Sequence, residues 1–143
     1  MRTNTNPIER GAIYTLGYSQ HNAASTLERL LRQPRILLLD VRYQPICRWN
    51  PAWNRADLAA RYGEQYRWEP RLGNVNYWSQ TRPIHFPTGY RQAVRETANL
   101  LCAGTSLVLL CCCRDERSCH RSLVAKLVQE ALPAPTAAQE VLA

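Results

Sequence analysis

The run CCCRDERSCHR, residues 111–121, puts four cysteines, one histidine and three arginines directly after the apolar stretch SLVLL. Thiols beside cations suit three chemistries: nucleophilic attack, metal ligation and redox exchange. The pattern predicts a strand ending near Cys111 and a helix opening near His120. Cys119 then lies at a helix N-terminus, where about half a positive charge and free amide donors stabilise a thiolate. The neighbouring guanidinium of Arg121 adds to this. On this reading Cys119 is a candidate nucleophile, His120 a catalytic group beside it, and Arg121 an anion-binding residue. The competing reading packs Cys119 into the turn and lets Arg121 tie down the segment containing Asp40.

Two further patterns overlap this run. Cys111 and Arg117 fit C-x5-R, the spacing of a phosphate-binding loop between strand and helix, which makes Cys111 a ligand-contact candidate. Against it, the loop has no glycine to admit close backbone approach, and Asp115 and Glu116 would repel a phosphate. A zinc site could draw on Cys111 or Cys113, Cys119 and His120, completed by His21 or His85. However, there is no C-x2-C knuckle, and adjacent cysteines on extended backbone project to opposite sides. No metal is assigned, and no cofactor is identifiable from the sequence.

Asp40-Val41-Arg42 closes a second apolar run. Residues two apart on a strand point the same way. Arg42 is therefore a candidate anion clamp, with Asp40 its orienter or a general base; a purely structural ion pair is the alternative. Ser19, His21 and Arg48 fall in neighbouring predicted loops, Ser19 and Arg48 as ligand contacts and His21 as a catalytic candidate. Tyr43, Trp49, Trp53, Trp68, Tyr77 and Trp78 lie in or beside long loops with interleaved arginines. Such rings either form a lid on the core or stack on bases.

The elements that must hold these residues alternate in type. AIYTLGYS (12–19) reads as a strand, and Ser25 with Glu28 forms a capping box opening the helix STLERLLRQ, closed by Pro34. RILLLDVR (35–42) is continuous enough for a buried parallel strand. After a loop over 43–54 comes a short helix capped by Asn54 and ended by Gly63. QYRWEP is a third strand, and 71–88 is a long loop of the kind that lines sites. Residues 88–103 form a helix, SLVLLCC a last strand, and HRSLVAKLVQEAL a last helix. The expected fold is a single-domain, Rossmann-like α/β unit, with a mainly parallel sheet and helices on both faces. The domain spans 12–132, with loose segments at 1–11 and 133–143. Ligands in such folds bind beyond the carboxyl ends of the strands, where GYSQHN, DVRYQPICR and the cysteine run converge.

The composition, 45% apolar and 20% charged over 143 residues, suits a soluble globular domain. No apolar run reaches the roughly 20 residues of a membrane helix, and residues 1–12 carry no signal-peptide core. A cytoplasmic location and no membrane partner are therefore expected. In such a compartment the six cysteines read as thiols or ligands rather than a disulfide framework. The net charge of +7 rests on 18 basic residues, all arginine except Lys126. Positive charge attracts polyanions, but the arginines form no block, so nucleic acid is the less favoured partner.

IYTLGYSQHN, LLLDVRYQPICRWNPAWN, LGN and LLCCCRDERSCHR, in this order and spacing, resemble the domain-of-unknown-function family DUF488. D-V-R after the second strand and C-H-R opening the last helix are the best markers. The resemblance implies a small Rossmann-like domain with a shared pocket and supplies no reaction. This chain departs from the family at Tyr18, where histidine is usual, at Cys47 in place of serine, at Asn74 in place of glycine, and by lacking an acid near Cys113. His21 could stand in for the missing histidine, and Asp115 or Glu116 for the acid. The expected function is a pocket for a small anionic, nucleotide-like ligand read by Arg42, Arg48 and Arg121, with Cys119 available for transfer or hydrolysis. The alternatives are a non-catalytic nucleotide or nucleic-acid module, and a metal- or redox-responsive protein using the 111–119 cysteines.

Overall fold

The computed structural model describes residues 9–112 and 120–133. Four strands, β1 (Ile13–Gly17), β2 (Ile36–Asp40), β3 (Tyr66–Trp68) and β4 (Ser106–Cys111), form one all-parallel sheet in the order β1-β4-β2-β3. Four α-helices accompany them: α1 (Ala23–Leu31), α2 (Arg55–Tyr62), α3 (Tyr90–Cys102) and α4 (His120–Ala131). The expected α/β architecture is what forms. None of the described helices is long and apolar enough to cross a membrane.

The unbroken apolar runs of β2 and β4 follow from burial on both faces. Alternation sends Leu37, Leu39 and Val41 with Leu107 and Leu109 to one side, against Ala98 and Leu101 of α3 and Val124 and Val128 of α4. Ile36, Leu38, Val108 and Leu110 face the other side, against Leu27 of α1 and Leu58 of α2. Leu38 is completely enclosed, and truncating such a side chain to alanine costs about 2–5 kcal/mol.

Two local expectations are corrected. Helix α1 begins at Ala23, two residues before the expected capping box, after Asn22 in the left-handed region at φ 60°. Asparagine tolerates that conformation better than most residues. Ser25 lies inside the first turn, and its hydroxyl donates to the Asn22 carbonyl at 3.1 Å. Asn54 does precede α2 but makes no side-chain cap. Its Oδ1 instead accepts from the Cys47 N–H at 2.6 Å, drawing the 43–54 loop closed.

The 71–88 loop is organised by its own polar groups. Asn74 Oδ1 accepts from the backbone of Asn76 and His85, both at 3.0 Å, and the Val75 N–H donates to the His85 carbonyl at 2.8 Å. At its start, Arg71 bridges Glu69 (2.7 Å) and Glu96 of α3 (2.6 Å). The two long loops meet at Gly73, where an added Cβ would lie 2.6 Å from the Tyr43 backbone N and Cα. Backbone cannot yield there as a flexible side chain would. We expect Gly73→Ala to destabilise the protein by about 1–3 kcal/mol, measured by urea unfolding; an unchanged midpoint would show that the loops separate freely.

Candidate functional site

In this strand order β4 is followed by α4 on one face, while its neighbours β1 and β2 are followed by α1 and α2 on the other. Connections leaving in opposite directions open a crevice at the carboxyl edge of the sheet. A cleft of about 1180 Å³ lies there, reached by Tyr18 after β1, Arg42 after β2, Cys111 at the end of β4, and His120 at the start of α4.

Its floor is built on Asp40, which has no exposed surface. The carboxylate accepts from Arg42 Nε (2.7 Å) and Nη2 (2.6 Å), from the Arg42 backbone N–H (3.2 Å) and from the Tyr66 hydroxyl (2.6 Å). The two residues do point the same way, as the strand end predicts. Burial works against the guanidinium charge, but the hydrogen bonds and charge of Asp40 outweigh it and raise the Arg42 pKa. Burial, with the adjacent Asp40 carboxylate, pushes the Tyr66 phenol upward, so it remains a donor.

Arg42 also lies over the Tyr18 ring, 5.3 Å from its centroid. Tyr18 in turn stacks on buried Trp53 at 5.5 Å and meets Trp49 at 5.6 Å in a tilted contact. The Trp68 indole donates to the Arg42 carbonyl at 2.8 Å, and its ring carries Arg55 at 4.4 Å. Tyr18 thus supports the guanidinium as a ring. Its phenol is pushed up by burial and by hydrogen bonding to Cys112.

His120 lies 2.6 Å from the Val41 carbonyl through Nε2. A carbonyl only accepts, so the proton sits on Nε2. Desolvation lowers the imidazole pKa, with the Arg121 charge a smaller contribution in the same direction. Arg121 is completely buried, with Nη1 3.2 Å from Cys111 Sγ. It is not among the residues that line the cleft.

The structure brings together Arg42, Arg48, Cys111 and His120 at the cleft. Ser19 stands outside the lining, its Oγ 3.9 Å from Cys112 Sγ. His21 is exposed on the turn after β1 and also lies outside it. Cys119, with Cys113, Arg117 and the C-x5-R pattern, falls outside the described residues. The expectation that the cysteines stay thiols or ligands is corrected at one position: Cys111 is disulfide-bonded, whereas Cys47, Cys102 and Cys112 are free. No group of three metal-ligating side chains comes together among the described residues.

Sequence reasoning missed Tyr18 and Tyr66 as supports of the Asp40–Arg42 pair. For Tyr66 no local signal exists, because its partner is set by sheet pairing. The rings of Trp49, Tyr77 and Trp78 do not cover the core as a lid: Trp49 is 67% exposed and Trp78 64%.

These features define an open, parallel α/β domain with a cleft floored by a buried arginine–carboxylate pair. The chain belongs to the DUF488 family, a domain of unknown function, whose family model matches residues 22–128. No curated protein and no solved structure matches it.

Removing one partner of a buried ion pair strands the other. Asp40→Asn is therefore expected to cost about 3–5 kcal/mol, read from urea unfolding; a loss below about 1 kcal/mol would mean that Arg42 finds water or another acceptor. For His120, the folded-state pKa lies below the ordinary 6.5. Its contribution should be fully present above the unfolded-state value and decline as pH falls below about 6.5, levelling off past the folded-state value. NMR titration of the ring proton checks this; a midpoint at or above 6.5 would contradict it.

Proposed function

We propose that the cleft binds a small nucleotide-like anion, anchored by Arg42. One observation carries this reading. Arg42 is only 4% exposed, and Asp40 occupies its Nε and Nη2, while buried Nη1 has no hydrogen-bond partner among the described residues. A buried donor left unmet costs about 1–3 kcal/mol, and Arg42 lines the cleft. A phosphate or carboxylate oxygen that displaces the side chains over Nη1 would satisfy that donor in a site where water screens it poorly. Asp40 then serves as the orienter, since two of the three guanidinium nitrogens are fixed before a ligand arrives. Arg48, exposed at the cleft, supplies a second positive charge, and buried Arg121 contacts Cys111 of the lining.

A nucleic-acid module is the second reading, favoured by the net charge of +7 and by exposed rings with arginines at the cleft. The two readings separate on salt. Affinity for a polynucleotide should fall steeply between about 50 and 200 mM salt, whereas a nucleoside monophosphate should respond weakly.

The test is calorimetric titration with AMP, comparing the wild type with the double variant Asp40→Asn/Arg42→Gln. The double change removes both charges together and strands neither, so the fold should survive. Affinity should drop by about tenfold or more, as loss of hydrogen bonds to a charged group implies. A folded double variant that binds AMP like the wild type would overturn the assignment of Arg42.

A further inference from the structure

Every large apolar side chain that stays exposed among the described residues lies on this cleft: Tyr43, Ile46, Trp49, Tyr77, Trp78 and Ile84. Exposed apolar side chains scattered singly require no explanation, but a contiguous group marks a binding surface. Four of the six are aromatic. The same loops show that tryptophan can pack inward here, since Trp53 is buried and stacked on Tyr18. Trp49, four residues earlier, is turned outward and meets Tyr18 in a tilted contact.

The second long loop contributes in the same way. Its closure through Asn74, with a further bond from Asn76 Nδ2 to the Pro83 carbonyl at 2.9 Å, carries Tyr77 and Trp78 at the cleft. Trp78 already accepts a planar cation, the Arg82 guanidinium, 5.1 Å from its ring centroid. Tyr77 meets Tyr43 at 6.3 Å in a tilted contact. Rings with arginines and amides between them suit a flat, polar-edged π system better than an aliphatic chain. Gln44 and Gln80 at the cleft supply amides able to read such an edge.

We infer that the mouth of the cleft is a base-stacking subsite, in which Trp49, with Tyr77 and Trp78, holds the nucleobase of a ligand whose phosphate lies on Arg42. Successive contacts of 5.3 Å and 5.6 Å link Arg42 through Tyr18 to Trp49, so the ring subsite adjoins the anion anchor. The position of the phosphate rests on the anion reading above. The ring subsite stands on the exposed aromatics alone. This names the ligand class more narrowly: specificity lies in the base, and Arg42 selects only for charge.

Calorimetry with AMP, ribose 5-phosphate and adenosine separates the two ideas, in the wild type, Trp49→Leu and Trp78→Leu. Both tryptophans are exposed, so neither change opens the core; thermal melts confirm the fold. In the wild type AMP should bind about tenfold or more tighter than ribose 5-phosphate, as stacking on an aromatic side chain implies. Trp49→Leu should bring that ratio close to one and leave ribose 5-phosphate affinity unchanged. Equal affinities in the wild type, or a ratio untouched by both substitutions, would overturn the subsite while leaving Arg42 as an anion anchor. Binding of adenosine without AMP or ribose 5-phosphate would support the ring subsite and end the phosphate reading. Binding of none of the three would overturn both.

Discussion

Asp40 and Arg42 form a buried ion pair within one three-residue segment, and the carboxyl edge of the sheet is assembled around it. Burying such a pair is weak evidence for stability, since desolvation offsets most of the Coulomb gain. Its effect here is geometric. The Asp40 carbonyl accepts from the Glu69 N–H at 2.8 Å, the Val41 N–H donates to Leu110 at 3.1 Å, and the Val41 and Arg42 carbonyls bond to His120 and Trp68. The segment is therefore tied to β3, β4 and α4 at once. A guanidinium held by two of its nitrogens and backed by the Tyr18 ring has one orientation.

The sheet order explains why this segment faces a cleft rather than a packed end. β4 lies between β1 and β2, and the helix after it, α4, packs on the face opposite to that covered by α1 and α2. Loops 43–54 and 71–88 then wall the crevice, joined where Gly73 meets Tyr43. Asparagine side chains bonding to backbone draw each loop together, Asn54 in the first and Asn74 with Asn76 in the second.

The aromatic residues divide by the work they do. Trp53 and Tyr18 pack beneath the guanidinium, and Trp68 donates to the backbone beside it. Trp49, Tyr77 and Trp78 remain exposed at the mouth. Composition and loop position treat all of these alike, because a tryptophan in a proline-rich loop carries no local mark of which way it turns. Trp49 and Trp53, four residues apart in one loop, show how completely the surrounding fold decides.

What the sequence determined by itself was whatever depends on neighbours along the chain. The unbroken apolar runs of β2 and β4 required cover on both faces, the strand–helix alternation required parallel pairing, and the two-residue spacing of Asp40 and Arg42 set both on one side of a strand. Boundaries and caps were less legible, as at Ser25 and Asn54, because a short polar side chain has several nearby backbone groups to choose from. The tertiary structure alone decided that Tyr66 meets Asp40, that Arg121 lies beneath Cys111, that His21 stays out in solvent, and that the exposed rings share one cleft. The first two join residues 26 and 10 positions apart, and the last sets one loop's side chains against another's. No periodicity spans such distances; strand order and loop closure bring the residues together.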